Sequence, residues 1–390
     1  MPGRQFNGPV TSKIPYDTSA DALLNPARNA VFFQGWEPDV DNQNHDLLCA
    51  EMSRLAYAGQ EVVIPALARI GFSAVGFIGG DDPATRFEMH GTEGFVAKNP
   101  AQGLTVLAFR GTESNKFDDL ISDLDTLQRD FRDGRRVHTG FLKAYGPLVQ
   151  QRVTTLLQDR EGSLLVTGHS LGAALATLAA LDTNPTALIT FGSPRVGDAQ
   201  FARLFNGLTV HRFVNCCDVV ARIPPEQFDH GHLRQLLTEL GDFERFTPPG
   251  PLLANAAADL AARGLAAAFR GVAPENKFMH ISPPRYVRAD GTVAEEISDK
   301  QILENQLAAR TAYRHSTENG LEQVRQLFDS LRAASRGQAP LHVGRLLRNI
   351  VRGLLNLVRG DPVPLRDLAD HAPINYVSAF TGRVEAAGQL

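Results

Sequence analysis

The sequence predicts an α/β protein built on a mostly parallel central sheet with helices on both faces. Three observations carry that expectation. Residues 164–166, Leu-Leu-Val, form a short, wholly apolar run of the kind buried on both faces of a parallel sheet. Strong helix formers, mostly Leu and Ala, run directly on from Ser170 to Leu181. The alternation then repeats, with an apolar strand at Ala187–Phe191, a short helix at 199–205 and another strand at Thr209–Asn215.

Between the first strand and the first helix lies Gly168-His169-Ser170-Leu171-Gly172, which fits the strand-turn-helix pattern G-x-S-x-G. A side chain displayed on so sharp a turn needs small neighbours, because strand and helix pass close together. Gly168 and Gly172 supply them, and Ala173 and Ala174 keep the facing helix surface thin. Such a turn pushes Ser170 Oγ out over the sheet edge. The Leu171 N–H opens the helix, where donors lack intrahelical partners and the helix dipole favours negative charge. An oxyanion can be held there. An incidental serine in a tight turn is the competing explanation; the strand before and the helix after favour a nucleophile.

Composition narrows the setting. The chain has 390 residues, a formal net charge of −4 and 43% hydrophobic residues, as an ordinary globular protein does. That charge gives no reason to expect nucleic acid as a partner. Three cysteines cannot all pair within the chain, and Cys216 and Cys217 are adjacent, so a disulfide framework is not expected. The opening residues lack the apolar core of a signal peptide, and nowhere do about 18 apolar residues run together. The expectation is no transmembrane span and either a cytoplasmic location or export without a cleavable signal.

In chain order, residues 1–35 are punctuated by Pro, Asn and Asp and read as an extended arm. Residues 46–58 form an amphipathic helix with Leu47, Ala50, Leu55 and Ala58 near one face, and a second helix is expected over 62–70. Strands at Ser73–Ile78, 93–98 and Leu104–Phe109 are separated by turn residues, as an antiparallel meander requires. The third runs into Arg110-Gly111-Thr112, which sets Thr112 just past a strand end. An acidic short helix is expected over 118–125, and a longer one from Val137-His138-Thr139-Gly140-Phe141 to about residue 158. His138 precedes the serine in the chain, and a structural role beneath the turn is expected of it. Asp198 suits the N-cap of the helix at 199–205. Asp218 follows the end of the Thr209–Asn215 strand, the region from which an acid can reach the C-terminal edge of such a sheet.

Beyond Pro225, Asp229-His230-Gly231-His232 is read as a polar loop, since no H-E-x-x-H or paired cysteines accompany it. A helix is expected over 252–269, a hairpin over 285–295 turning at Ala289-Asp290-Gly291, and helices over 300–313 and 321–334. Residues 346–359 form the sharpest amphipathic helix, with Leu346, Ile350, Leu354 and Leu357 on one face and Arg345, Arg348, Arg352 and Arg359 on the other. Such a helix can lie on anionic lipid, or pack its apolar side on the protein; packing is the commoner outcome. The chain closes through Asp370-His371 and Tyr376.

As a set these motifs resemble the class 3 lipases, the fungal-type triacylglycerol lipase family of α/β-hydrolases. The pieces are Phe109-Arg110-Gly111-Thr112, Val137 to Phe141, Thr167 to Gly172, Phe191-Gly192-Ser193-Pro194-Arg195-Val196-Gly197, Val214 to Asp218 with Pro224-Pro225, and Asp370-His371 followed by Tyr376. The resemblance implies Ser170 as nucleophile, Asp218 as triad acid, His371 as general base, and Thr112 with Leu171 as oxyanion hole. It further implies hydrolysis of carboxylic esters, commonly of glycerolipids, with neither metal nor organic cofactor.

Two departures stand out. The interval from Asp218 to His371 is long, so a helical cap is expected before the catalytic His, and His280 and His315 are rivals to His371. The segment 115–123 is acidic and less apolar, where fungal members of that family place a helical lid. The expected organisation is an α/β-hydrolase core over 1–225, a mostly helical insertion over 226–360 holding a core-like hairpin near 284–296, and a return to the core over 361–390. The substrate is expected to be a fatty-acid ester such as an acylglycerol. A phospholipase touching a lipid interface through 345–359 is the alternative, and a catalytically dead binding protein a third reading.

Overall fold

A computed structural model of the chain describes residues 43–79, 93–111, 128–218, 220–241, 277–288 and 292–298, with isolated positions between 259 and 306 and between 371 and 377. The expected arm over 1–35, the acidic helix over 118–125 and the helices over 321–334 and 346–359 lie outside the described residues, as do nearly all of 252–269 and part of 300–313.

Eight strands form one sheet: β1 (Ser73–Ile78), β2 (Gly94–Asn99), β3 (Leu104–Phe109), β6 (Ser163–His169), β7 (Ala187–Phe191), β8 (Thr209–Asn215), β9 (Pro284–Val287) and β10 (Val293–Ala294), side by side in that order. The first three pair antiparallel, β3 through β9 run parallel, and β10 folds back antiparallel on β9. The parallel centre follows from strands such as Leu-Thr-Val-Leu-Ala-Phe, every residue of which is buried. The hairpin read from Asp290-Gly291 extends the central sheet through β9.

Alternation along the strands builds a core on each face of the sheet. On β3, Val106 and Ala108 face helices α1 (Gln43–Leu55) and α2 (Gln60–Arg69), where Leu47, Leu48, Leu55, Val63 and Leu67 are buried. Leu107 and Phe109 face the opposite layer of α3 (Thr139–Ala144), α4 (Pro147–Leu157) and α5 (Leu171–Thr183). Each fully buried Leu or Phe stabilises the fold by about 1.5–3 kcal/mol before entropy is counted. Helix α5 carries Ala at 173, 174, 176, 179 and 180, all buried, which lets it lie close against the sheet.

Two expectations are corrected, and one element is added. The helix expected from His138 to residue 158 is two helices, because Gly146-Pro147 breaks it and Pro147 opens α4 at a position where its missing N–H costs nothing. Asp229-His230-Gly231-His232 is the start of α7 (His230–Gly241), following the short α6 (Ala199–Ala202). Asp229 caps it, Oδ1 accepting the His232 N–H at 3.0 Å and Oδ2 meeting His232 Nδ1 at 2.7 Å. A two-stranded ribbon, β4 (Gln128–Phe131) with β5 (Arg135–His138), was not anticipated.

Candidate active site

The turn from β6 into α5 is built by close approach. A Cβ on Gly168 would strike the Gly172 carbonyl, and one on Gly172 would strike the carbonyl of Phe109, so neither position admits a side chain. Ser170 sits between them at φ 60 and ψ −127, in the left-handed half of backbone space, where a non-glycine residue is strained. Its N–H donates to the Phe191 carbonyl at 3.0 Å, which fixes the turn to β7. Its Oγ is buried and makes no hydrogen bond among the described residues. Leu171 is the first residue of α5, so its N–H has no intrahelical acceptor. Thr112 lies outside the described residues. Its neighbour Gly111 passes beside the turn, where an added Cβ would stand 3.1 Å from Ser170 Cβ.

Asp218 and His371 meet at the same edge. Asp218 is fully buried just past the end of β8, and His371 Nδ1 stands 2.9 Å from each of its carboxylate oxygens. The carboxylate also accepts the Val220 N–H on Oδ1 at 2.8 Å and the Tyr376 hydroxyl on Oδ2. Tyr376 is held in turn by the Asn215 N–H at 3.0 Å. Burial would raise the Asp218 pKa, but the charge and hydrogen bond of His371, and then the Tyr376 hydroxyl, outweigh it and keep the carboxyl below the usual range. The acid is therefore ionised throughout the neutral region.

Two contacts bring the imidazole of His371 against the serine turn. Its ring packs on that of His169, the residue before Ser170, with centroids 4.5 Å apart. A Cβ on Gly192, the residue after Phe191, would fall 2.9 Å from His371 Nδ1 and 2.6 Å from Asp218 Oδ2. Gly192 also has φ +58, so glycine answers both a backbone and a space requirement there.

The rival His280 stands elsewhere. His280 is half-buried and its Nε2–H donates to the Ala221 carbonyl at 2.8 Å; desolvation, then Arg212 and Arg195, drive its pKa well down. His315 lies outside the described residues. His138 caps α3, its Nδ1 accepting the Gly140 N–H at 3.1 Å, and burial lowers its pKa to about 3. Reading the sequence did not pick out Tyr57, His169, Gly192 or the hydroxyl of Tyr376 as parts of the site. Three of them were in view, His169 as a variable position of the G-x-S-x-G pattern, Gly192 within Phe-Gly-Ser-Pro and Tyr376 after Asp370-His371. Among the described residues no cluster of three or more His, Cys, Asp or Glu side chains is arranged to hold a metal ion, and no helix is long and apolar enough to cross a membrane.

A buried carboxylate, an imidazole paired to it and a serine on a strained turn at a helix N-terminus form an arrangement suited to acyl transfer. Residues 106–228 match the family model described as "Lipase (class 3)", a span that includes Ser170 and Asp218 and stops before His371. A lipase of Rhizomucor miehei is 34% identical over 161 residues, covering 37% of this chain and 44% of that protein. Phospholipase A1-II 6 of Oryza sativa subsp. japonica is 32% identical over 191 residues, covering 37% and 46%. The chain thus spans less than half the length of these relatives. Among solved structures, lipase II from Rhizopus niveus aligns at 27% identity and a TM-score of 0.37, over 47% of this chain and 75% of that one.

Proposed function

We propose, from the match of residues 106–228 to the class 3 lipase family model, that this chain is a serine hydrolase of carboxylic esters, acting on acylglycerols or related fatty-acid esters. Ser170 is the nucleophile, His371 the general base and Asp218 the acid that orients it. The observation that carries the reading is the His371 imidazole paired with buried Asp218 and packed on the residue preceding Ser170.

In this mechanism the Ser170 proton passes to His371 Nε2 as Oγ attacks the ester carbonyl. Asp218 holds the tautomer with the proton on Nδ1 and stabilises the imidazolium that forms. The N–H groups of Leu171 and Thr112 receive the oxyanion; losing one such donor typically costs on the order of 10² to 10³ in rate. His371 then returns the proton to the leaving alcohol, and water releases the fatty acid by the same steps in reverse. Each proton and electron pair is accounted for by these side chains, without a metal or organic cofactor. We assign the core to residues 1–225 with the hairpin near 284–296 and residues 361–390, and the rest of 226–360 to a mostly helical cap.

The test is Ser170→Ala in the full chain, assayed on p-nitrophenyl butyrate and tributyrin. The expected result is loss of turnover and of fluorophosphonate labelling, with unfolding unchanged. Undiminished turnover refutes the assignment, and a parent protein that takes up no label supports the dead-site reading instead. A second reading, phospholipase, draws on the relative named phospholipase A1. Turnover of phosphatidylcholine liposomes in preference to tributyrin selects it, and liposome binding lost on replacing Arg348 and Arg352 by Glu assigns the lipid contact to 345–359.

A further inference from the structure

His169 occupies a position that the G-x-S-x-G pattern leaves unspecified, yet it is wholly buried between two chain segments. Its Nε2 stands 2.6 Å from the main-chain carbonyl oxygen of His371, and its Nδ1 stands 2.7 Å from the Tyr57 hydroxyl. A carbonyl oxygen can only accept, so Nε2 carries the proton. In a neutral ring Nδ1 is then bare and accepts the Tyr57 O–H. The hydrogen bonds run in one direction, from Tyr57 through the His169 ring to the backbone of His371.

We propose that His169 is a positioning residue for the general base: its Nε2–H holds the His371 main chain at a fixed distance from Ser170, and the Tyr57 hydroxyl selects the tautomer that allows this. The proposal rests on the reading of Ser170 and His371 given above. Its force lies in covalent geometry. His169 is the last residue of β6, in register with Phe191 of β7, and Ser170 is its next neighbour. Holding the base through His169 therefore refers base and nucleophile to the same point of the sheet.

Two further restraints on His371 are of a different kind. The bonds to Asp218 orient the ring, and its stacking on the His169 ring limits tilt, but neither fixes how far the chain at residue 371 stands from the turn. A carbonyl tether does. The ring must also stay neutral, since a cation there would repel the imidazolium forming on His371 and compete for Asp218. Burial, and next the His371 ring, hold the His169 pKa well below its ordinary value, against the pull of Asp218 and of the His371 carbonyl. A misplacement of about 1 Å between reacting groups can cost about 10²-fold in rate, which sets the size of the expected effect.

The experiment compares His169→Phe, which keeps a ring and loses the donor, with His169→Gln, whose side-chain amide restores one. Turnover of p-nitrophenyl butyrate, a soluble ester, is measured alongside thermal unfolding. The expected result for His169→Phe is a kcat lower by about 10²-fold with KM within about twofold, and for His169→Gln recovery of most of that loss. Equal losses in the two variants, or a parental kcat in His169→Phe, overturn the proposal. If His169→Phe does not fold, Tyr57→Phe removes only the hydroxyl, and a parental kcat there overturns it as well. Ser170→Ala run beside them separates the two levels. Activity in that variant sinks the hydrolase reading, whereas an inactive Ser170→Ala with a fully active His169→Phe sinks the tether alone.

Discussion

The imidazole Nδ1 of His371 is equidistant from the two carboxylate oxygens of Asp218, at 2.9 Å from each, although 153 residues separate them in the chain. Each oxygen carries one further donor, the Val220 N–H on Oδ1 and the Tyr376 hydroxyl on Oδ2. A carboxylate held symmetrically in this way has no room to rotate. The imidazole that reads its position is thereby given one orientation.

Tyr376→Phe tests how much of that rigidity comes from one hydroxyl. The change removes a donor to a buried charge and strips the Asn215 N–H of its acceptor. Hydrogen bonds to charged groups contribute about 1.5–3 kcal/mol, so a fall in the urea midpoint is expected. Because Asp218 keeps His371 and Val220, kcat/KM on p-nitrophenyl butyrate should drop about tenfold, the equivalent of about 1.4 kcal/mol, rather than vanish. An unchanged kcat/KM contradicts the role given to the hydroxyl.

Gly192→Ala should be more damaging than a methyl group suggests. The new Cβ would sit 2.6 Å from Asp218 Oδ2 and 2.9 Å from His371 Nδ1, on a residue at φ +58. The backbone conformation alone costs about 1–2 kcal/mol for an L side chain. Displacing the imidazole should lower kcat by about 10²-fold. Steady-state kinetics and chemical denaturation on the same preparation check both, and an active, equally stable variant refutes the geometry.

The parts of this architecture that were legible in the sequence are those whose signal is local. The apolar run of β3 and the Gly-His-Ser-Leu-Gly turn each lie within a few consecutive residues, and the cores of β6 and β7 are short apolar stretches. The β4–β5 ribbon was missed because Arg129, Asp130, Arg135 and Arg136 give it no apolar alternation. The break at Pro147 was missed because apolar spacing carries on across it in Leu148, Val149 and Val153. At the site, Asp218 and His371 stand out only when the motifs are taken together, since their proximity is tertiary. The bond from His169 to the His371 carbonyl joins a side chain to a main-chain atom 202 residues away, and no residue type at either end announces it.

Ser170→Gly offers a test of strain at the turn. Ser170 holds φ 60 and ψ −127, a conformation that costs a side-chain-bearing residue about 1–3 kcal/mol. Glycine removes that strain and loses about 0.5–1 kcal/mol through its freer unfolded chain. Alanine keeps the Cβ and keeps the strain. Both variants should be inactive, with Ser170→Gly more stable than Ser170→Ala by about 1 kcal/mol. Urea midpoints in the opposite order rule out a strained nucleophile.

Acid sensitivity follows from histidines buried in neutral form, and His138 allows it to be isolated. Burial lowers its pKa from 6.5 to about 3. Above pH 6.5 the ring is neutral in both folded and unfolded chains and adds no pH dependence. Between 6.5 and about 3 the unfolded chain binds a proton that the folded one refuses, so stability falls with falling pH, at up to about 1.4 kcal/mol per unit. Below about 3 both forms are protonated and the slope ends. His169 and His280 are shifted in the same direction, and the lowered pKa of Asp218 adds a loss of the same sign at the acid end, so the whole protein should weaken on acidification. His138→Asn keeps an acceptor for the Gly140 N–H while removing the titration. It loses ring contacts with Phe141 and Phe278, a fixed offset. The quantity to read is therefore the slope: between pH 7 and pH 5 the variant's urea midpoint should fall less than the parent's, closing part of the gap. Parallel slopes would mean that His138 is protonated in the folded protein, and that its cap on α3 is made in some other way.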